Sequence, residues 1–440
     1  MHTKTTRHIV LIAILALAAV LRPVPSPAAG SLTVDIFGPG QRQVNLVILP
    51  PRNLAGPGQP PLAAEFERLV RQNLNLLPFL HIVPVSQLLG GDPSRGVTGQ
   101  EIDFRPMQLA RVDLAMTAGW RGDRLEAYVF ETFSGIQKLG RGYEKVDAEI
   151  LPRVADRFCA GLMKALTGRE GFFESTLAFV KSSGNGKEIF TVKPQGRDLV
   201  KITSLGGYNT SPSWSLDGAR LAFTHIEQDG HRLGVWDRAT GRIVLKRFPG
   251  NTVISPAFTL DGDVVLTLDK TGSPDIYILD KNLDPVKPLV HSWAIDVSPS
   301  FDRSGNLVAF TSGRLGNPHI FMLDRRNQQV RRVTYEGKYN TNPCLSPDGR
   351  YLVFSRQMPG GHRIFLTNLQ NGQEQQLTFG PGDDEDPAFG PDGYFVAFSS
   401  SRTGQYRIYL TTRHGDTPKV VNTGEGACTA PAWDTANRAY

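Results

Sequence analysis

Asn342-Pro343-Cys344-Leu345-Ser346-Pro347-Asp348-Gly349 returns as Asp386-Pro387-Ala388-Phe389-Gly390-Pro391-Asp392-Gly393, and this pair decides the fold. Further copies are Ser211-Pro212-Ser213-Trp214 with Asp217-Gly218, Ser255-Pro256-Ala257-Phe258 with Asp261-Gly262, and Ser298-Pro299-Ser300-Phe301 with Ser304-Gly305. A sixth, Ala430-Pro431-Ala432-Trp433-Asp434, lies near the end of the sequence. The prolines at 212, 256, 299, 343, 387 and 431 recur at intervals of 43 or 44 residues, a period that marks a repeat architecture.

Each unit has places for four strands. The Pro-aromatic segment comes first, and Asp-Gly turns the chain into an apolar strand such as Leu307-Val308-Ala309-Phe310 or Phe395-Val396-Ala397-Phe398. A Gly-containing loop leads to a third, alternating strand such as Ile320-Phe321-Met322-Leu323, and a polar turn to a short fourth, such as Val330 to Thr334 or Val420 to Asn422. Four antiparallel strands per repeat make a propeller blade. Leu177-Ala178-Phe179 stands one period before Leu221-Ala222-Phe223, yet residues 172 to 207 hold no Pro-aromatic strand. The segment around Trp433 is that missing strand. The expectation is an all-β six-bladed β-propeller with split-blade closure over residues 169–440, rather than an open stack with exposed edges.

Residues 30–168 lack the period and are expected to form an α/β N-terminal domain. Leu46 to Leu49 reads as a buried strand, and Leu62, Phe66, Leu69, Val70, Leu74 and Leu77 as one helical face. Val112 to Trp120 and Leu125 to Phe133 suggest a hairpin. A strongly amphipathic helix runs from Ile150 through Leu166, stopped by Gly168.

Residues 1–29 read as a signal peptide: Lys4 and Arg7 precede the apolar run Ile9 to Leu21, and small residues follow at Ser26 to Gly30. The run is short for a bilayer crossing and nothing like it recurs, so an exported chain not inserted in a membrane is expected. No cysteine near the cleavage region offers a lipid anchor. Without Lys4, Arg7 and Arg22 the formal charge falls from +6 to +3, which leaves no case for nucleic acid. Arg325-Arg326 and Arg331-Arg332 read as solvated strand edges. The three cysteines, Cys159, Cys344 and Cys428, are too few for a disulfide scaffold and read as small buried hydrophobes.

The sequence holds no nucleophile elbow, zinc-protease helix, Walker loop or dinucleotide fingerprint, so no catalytic residue is assigned. The dense acidic run Asp383-Asp384-Glu385-Asp386 has the chemistry for Ca²⁺ at a propeller channel, but a solvated interblade loop is the favoured reading. No cofactor and no metal ligand is therefore expected. The alternative class is an exported propeller hydrolase or sugar-binding protein. A propeller peptidase would need an α/β-hydrolase domain, for which the few residues after Asp434 leave no room.

The repeats resemble the Asp-Pro-type WD40 variant of the TolB family, the periplasmic propellers of the Tol-Pal envelope system. More specific is the junction Leu166-Thr167-Gly168-Arg169-Glu170-Gly171-Phe172-Phe173-Glu174-Ser175-Thr176-Leu177-Ala178-Phe179-Val180 behind an α/β region. The resemblance implies a monomeric, non-enzymatic periplasmic scaffold that links two partners, the lipoprotein Pal and the inner-membrane protein TolA, for outer-membrane integrity and constriction during cell division. It implies that TolA binds the N-terminal segment Ser31, Leu32, Thr33, Val34, Asp35 and Ile36, and that Pal sits on the loops entering the Pro-aromatic strands. Thr252 and Ser255 stand where the family pattern has a partner-sensitive His and Ala, and Val297 where it has a Thr. By symmetry Tyr208, Asn209 and Thr210, and Asn340, Thr341 and Asn342, are expected on the same rim.

Overall fold

The computed structural model describes residues 42–434 apart from 170, 250–252 and 271. Residues 1–29, expected to be a signal peptide, the segment Ser31 to Ile36, and Thr252 lie outside the described residues.

The α/β region runs β1 (Val44–Ile48), β2 (Arg52–Asn53), α1 (Ala63–Leu74), β3 (Leu80–Val83), α2 (Arg105–Leu109), β4 (Leu114–Arg121), β5 (Arg124–Glu131), β6 (Gln137–Tyr143) and α3 (Leu151–Thr167). Its sheet has the order β3-β1-β4-β5-β6, with β1 parallel to both β3 and β4, the short β2 parallel to β4, and β4-β5 and β5-β6 antiparallel. The expected hairpin is β4-β5, and β6 extends it by a third strand. Asp147 holds the turn that leads into α3 by accepting from the backbone N–H groups of Glu149 and Ile150 at 2.9 and 3.0 Å. Gly168 ends the helix in the left-handed conformation at φ 71°, its N–H on the Lys164 carbonyl at 2.8 Å. The apolar face between, from Leu151 to Leu166, is buried with α1 against the sheet.

The repeats form β10 (Tyr208–Trp214), β11 (Arg220–Glu227), β12 (Gly230–Asp237) and β13 (Ile243–Arg247), then four separate four-stranded antiparallel sheets. These are β14 to β17 (Val253–Phe258, Val264–Asp269, Pro274–Leu279, Pro285–Val290) and β18 to β21 (Asp296–Phe301, Leu307–Ser312, His319–Asp324, Gln329–Arg332). They continue with β22 to β25 (Asn340–Leu345, Tyr351–Met358, Gly361–Asn368, Glu374–Gln376) and β26 to β29 (Asp384–Phe389, Phe395–Ser400, Arg407–Thr412, Lys419–Val420). The fourth strands are shorter than their apolar content suggested. Val333 and Thr334 already leave β21 to pack inward. The remaining strands, β7 (Leu177–Ser183), β8 (Gly186–Val192), β9 (Val200–Lys201) and β30 (Cys428–Trp433), belong to the sheet of β10 to β13. There β30 pairs antiparallel with β7, while β8 touches β10 through one parallel pair, Lys187 with Tyr208. The whole is an α/β region followed by a β-propeller.

The residue before each repeat proline has a left-handed backbone: φ is 51° at Ser211 and Ser255, 56° at Ser298, 52° at Asn342 and Asp386, and 50° at Ala430. Proline bars its predecessor from the right-handed α region and offers no N–H to the ladder. The innermost strand therefore bulges there, and its register shifts by one residue in every repeat. Small or polar side chains suit that conformation, which explains the Ser, Asn, Asp and Ala before Pro. These six residues ring a central cavity of about 260 Å³.

One hydrophobic cluster runs from the α/β region into the propeller, joining Phe158 and Leu166 of α3 to Phe172, Phe395, Leu410 and Trp433. Beside it Asp156 of α3 takes hydrogen bonds from Asn73 at 2.9 Å and from Arg197 of the propeller.

Candidate partner-binding face

In an antiparallel repeat of four strands, the loop entering the first strand and the turn between the second and third fall at the same end. This end of the propeller is the rim. It carries the exposed apolar and aromatic side chains Tyr208, Trp293, Ile295, Leu315, Tyr335, Tyr339 and Phe379. Singly such residues are ordinary, but a set on one face marks an interaction surface.

Trp293 is the most exposed, at 79%, and its loop is held firmly. Ser292 donates its N–H to Asp275 at 3.3 Å and its hydroxyl to Asp296 at 2.8 Å. His291 Nδ1 lies 2.6 Å from Asp275, and Arg314 grips Asp296 at 3.0 Å. Both aspartates are fully buried, and Gly313 donates to the Ile295 carbonyl at 3.0 Å. The loop therefore presents an indole to solvent from a rigid base, the arrangement that loses least entropy on binding. Tyr339 stands edge-on to His362 at 6.3 Å, and Arg332 lies over the Tyr335 ring at 5.1 Å.

The residues expected at the rim divide into three groups. Tyr208 is exposed, and Thr210, Val297 and Thr341 are half-buried near the strand entrances. Ser255 and Asn342 turn to the central cavity, where Asn342 donates to Asp386. Asn209 and Asn340 are fully buried and spend their side chains inside the protein. Asn209 donates to Glu188 at 2.9 Å, and its oxygen is 2.9 Å from His225 Nδ1. Asn340 accepts from Arg356 at 2.7 Å and donates to the Glu336 carbonyl at 3.0 Å. Burial and the nearby Arg332 and Arg356 charges hold the neighbouring His319 below the usual histidine range. Strand alternation produces the split: Asn209 and Asn340 occupy the same place, two residues before the left-handed residue, and point inward where Thr210 and Thr341 do not.

The acidic run is dispersed by the same alternation. Asp383 accepts the His362 N–H at 2.8 Å, Asp384 is buried against Arg402 at 2.9 Å, and Glu385 accepts the Tyr406 hydroxyl at 2.6 Å. Asp386 faces the cavity, where burial and then the Glu385 charge push its carboxyl above the usual range. Among the described residues no three His, Cys, Asp or Glu side chains converge on one point. Cys159 and Cys428 are buried, Cys344 is half-buried, and all three are free thiols.

Sequence reasoning missed Trp293, Ile295, Tyr335, Tyr339 and Phe379. The available signal was their register: each stands in the loop before a Pro-aromatic strand, close to the place that Tyr208 holds at the start of β10.

A family model described as the TolB beta propeller domain matches residues 163–437. The Tol-Pal system protein TolB of Nitratidesulfovibrio vulgaris is 46% identical over 297 residues, 66% of this chain and 67% of that protein. A protein TolB homolog of Chlorobium luteolum is 32% identical over 254 residues, 57% of each chain. The crystal structure of TolB from Acinetobacter baumannii superposes with a TM-score of 0.78 over 90% of this chain and 98% of its own, at 22% identity, a likeness of fold. The repeat, its junction with the α/β region and these matches agree: the chain belongs to the TolB family of β-propeller proteins.

Proposed function

We propose that the protein is a periplasmic scaffold of the Tol-Pal system, which binds the lipoprotein Pal on the propeller rim and TolA through Ser31 to Ile36. TolB-family proteins are non-enzymatic proteins of the Tol-Pal system. Residues 1–29 serve as the export signal, and Gly168 divides the mature chain into a region of residues 30–168 and a propeller of residues 169–440. We count six blades, taking the eight-stranded sheet as β10 to β13 plus β30 with β7, β8 and β9. The single pair between β8 and β10 supports that count, as does the bulge between β30 and β7, which repeats the one between first and second strands elsewhere. Among the described residues no helix is long and apolar enough to cross a membrane.

The observation that carries the reading is the exposed apolar set around Trp293 on rigid loops, which suits a protein surface better than a small ligand. Thr252 and Val297 belong to the same contact in this reading, with Tyr208, Thr210 and Thr341 beside them, while Ser255 and Asn342 face the central cavity. Bound at the rim, Pal changes the protein's affinity for TolA, and TolA changes its affinity for Pal by the same factor. The role served is outer-membrane integrity and constriction during division. Calorimetric titration with the soluble domain of the cognate Pal tests the rim, and titration with TolA before and after removal of Ser31 to Ile36 tests the segment. A folded protein that takes up neither partner would overturn the proposal.

A further inference from the structure

We propose a second contact surface, for an anionic phospholipid bilayer, on the propeller end opposite the rim. The turns between first and second strands and between third and fourth strands gather there. Two adjoining clefts of about 430 and 490 Å³ flank the β20-β21 turn and share Arg326. Lys287 and Arg325 line the first with Arg326, and Arg331 and Arg350 line the second. Among the described residues, the carboxylates lining the pair are Asp261 and Asp324. Five cations face these two carboxylates and, beside Arg350, Asp348, so two positive charges are in excess.

The pairing is incomplete. Arg326 is held by Asp324 at 2.6 Å, but the nearest carboxylate to Arg350 is Asp348 at 4.0 Å. Arg325 donates to the Gly305 carbonyl at 2.8 Å and lies over the Phe301 ring. Lys287 and Arg331 are exposed and have no ion pair among the described residues. These side chains keep free donors, and like charges this close repel until an anion joins them.

The choice of lipid rests on what lies beside the cations. Leu260 in the first cleft and Val330 in the second are 54% and 41% exposed. Cations flanked by exposed aliphatic side chains match a bilayer surface, whose phosphates take the charges while the apolar groups enter the acyl boundary. An acidic protein segment would use the charges and leave Leu260 and Val330 in water. The surface is spatially separate from the rim, so lipid and partner can be held together.

Flotation of the exported form with phosphatidylcholine vesicles and with mixed phosphatidylcholine and phosphatidylglycerol vesicles tests this. Binding is expected only to the mixed vesicles, declining with salt and persisting in millimolar inorganic phosphate. The exposed triple variant K287S/R331S/R350S is expected to bind about 100-fold more weakly, roughly fivefold per cation, while it unfolds at the wild-type urea midpoint. A second variant, L260S/V330S, should lose binding that survives raised salt. Failure of the folded wild type to bind mixed vesicles, undiminished binding by the triple variant, or capture of poly-glutamate in place of vesicles would each sink the proposal.

Discussion

The indole N–H of Trp433 donates to the hydroxyl of Ser175 at 2.6 Å, joining residues 258 positions apart. Trp433 ends β30, and Ser175 stands just before β7, the strand with which β30 pairs. The Phe172 ring packs edge-on to the same indole at 5.8 Å. The last strand and the segment leaving α3 therefore lock each other. Without β30, β7 would present an unpaired edge.

Trp433→Ala removes a large buried ring and the bond to Ser175. A loss of about 3–5 kcal/mol is expected, read as a lower urea midpoint, whereas Trp433→Phe should cost about 1–2 kcal/mol. An unchanged midpoint in the alanine variant would mean that β30 does not close the ring.

Asp156 and Arg197 tie α3 to the propeller in a buried setting. Burial pushes the Asp156 carboxyl up, while Arg197 and Asn73 pull it back. Arg197→Ala leaves the carboxylate without its cation and should cost about 3–5 kcal/mol at neutral pH. Its stability should then recover as pH falls and Asp156 takes a proton. Adding Asp156→Asn should restore part of the loss. A double mutant no better than R197A would show that packing, not charge, holds the junction.

The Asp-Gly turns share a sequence and differ in electrostatics. Asp217 accepts from Ser215 and Ala219 and is held below its usual pKa. In the matching slot burial pushes Asp392 up to about 6, against the N–H groups of Tyr394 and Phe395, and its Oδ2 is buried without a hydrogen bond. A carboxyl raised in the fold contributes stability while protonated, and loses it as pH rises from near 4 to about 6. The stake is about 3 kcal/mol, to order of magnitude. His414 works the other way: burial and the Arg413 charge lower it to about 4, so it costs stability as pH falls below its unfolded value. The readout is therefore a difference between proteins. Asp392→Asn should gain on the wild type as pH rises from about 4 to 7, and a constant difference would remove Asp392 from the account.

Much of this architecture is legible in the residues. The proline spacing, the Asp-Gly turns and Gly168 behind an amphipathic run carry local instructions that no tertiary context overrides. The parallel pairing of β1 with β3 and β4 is not legible, because Leu46 to Leu49 reads the same in either direction. Asn209 and Asn340 mislead for a different reason: burial of a polar side chain in a seam depends on partners such as His225 and Arg356, which lie on other strands. Trp293 escapes because loop residues obey no hydrophobic period.

The residue before each repeat proline offers a direct test of the bulge. At Ser298, with φ 56°, a β-branched side chain meets the backbone, so Ser298→Val should cost about 1–3 kcal/mol. Ser298→Gly should stay within about 0.5 kcal/mol of the wild type, since glycine adopts this conformation freely. Equal midpoints for the two variants would argue against the left-handed bulge.

Trp293 and Asn209 separate binding from folding. The Trp293 side chain is solvent-exposed, so Trp293→Ala should leave the urea midpoint within about 0.5 kcal/mol. If the rim binds Pal through a central aromatic anchor, the same variant should lose at least about tenfold in affinity by calorimetry. Asn209→Ala should do the reverse: it strips the Glu188 carboxylate and His225 of a buried partner and lowers stability by about 1–3 kcal/mol, while the folded fraction binds normally. The crossed pattern is the diagnostic one, because a general weakening of the propeller would move both readouts together. Retention of full affinity by W293A would shift the contact to the Tyr335, Tyr339 and Phe379 side of the rim.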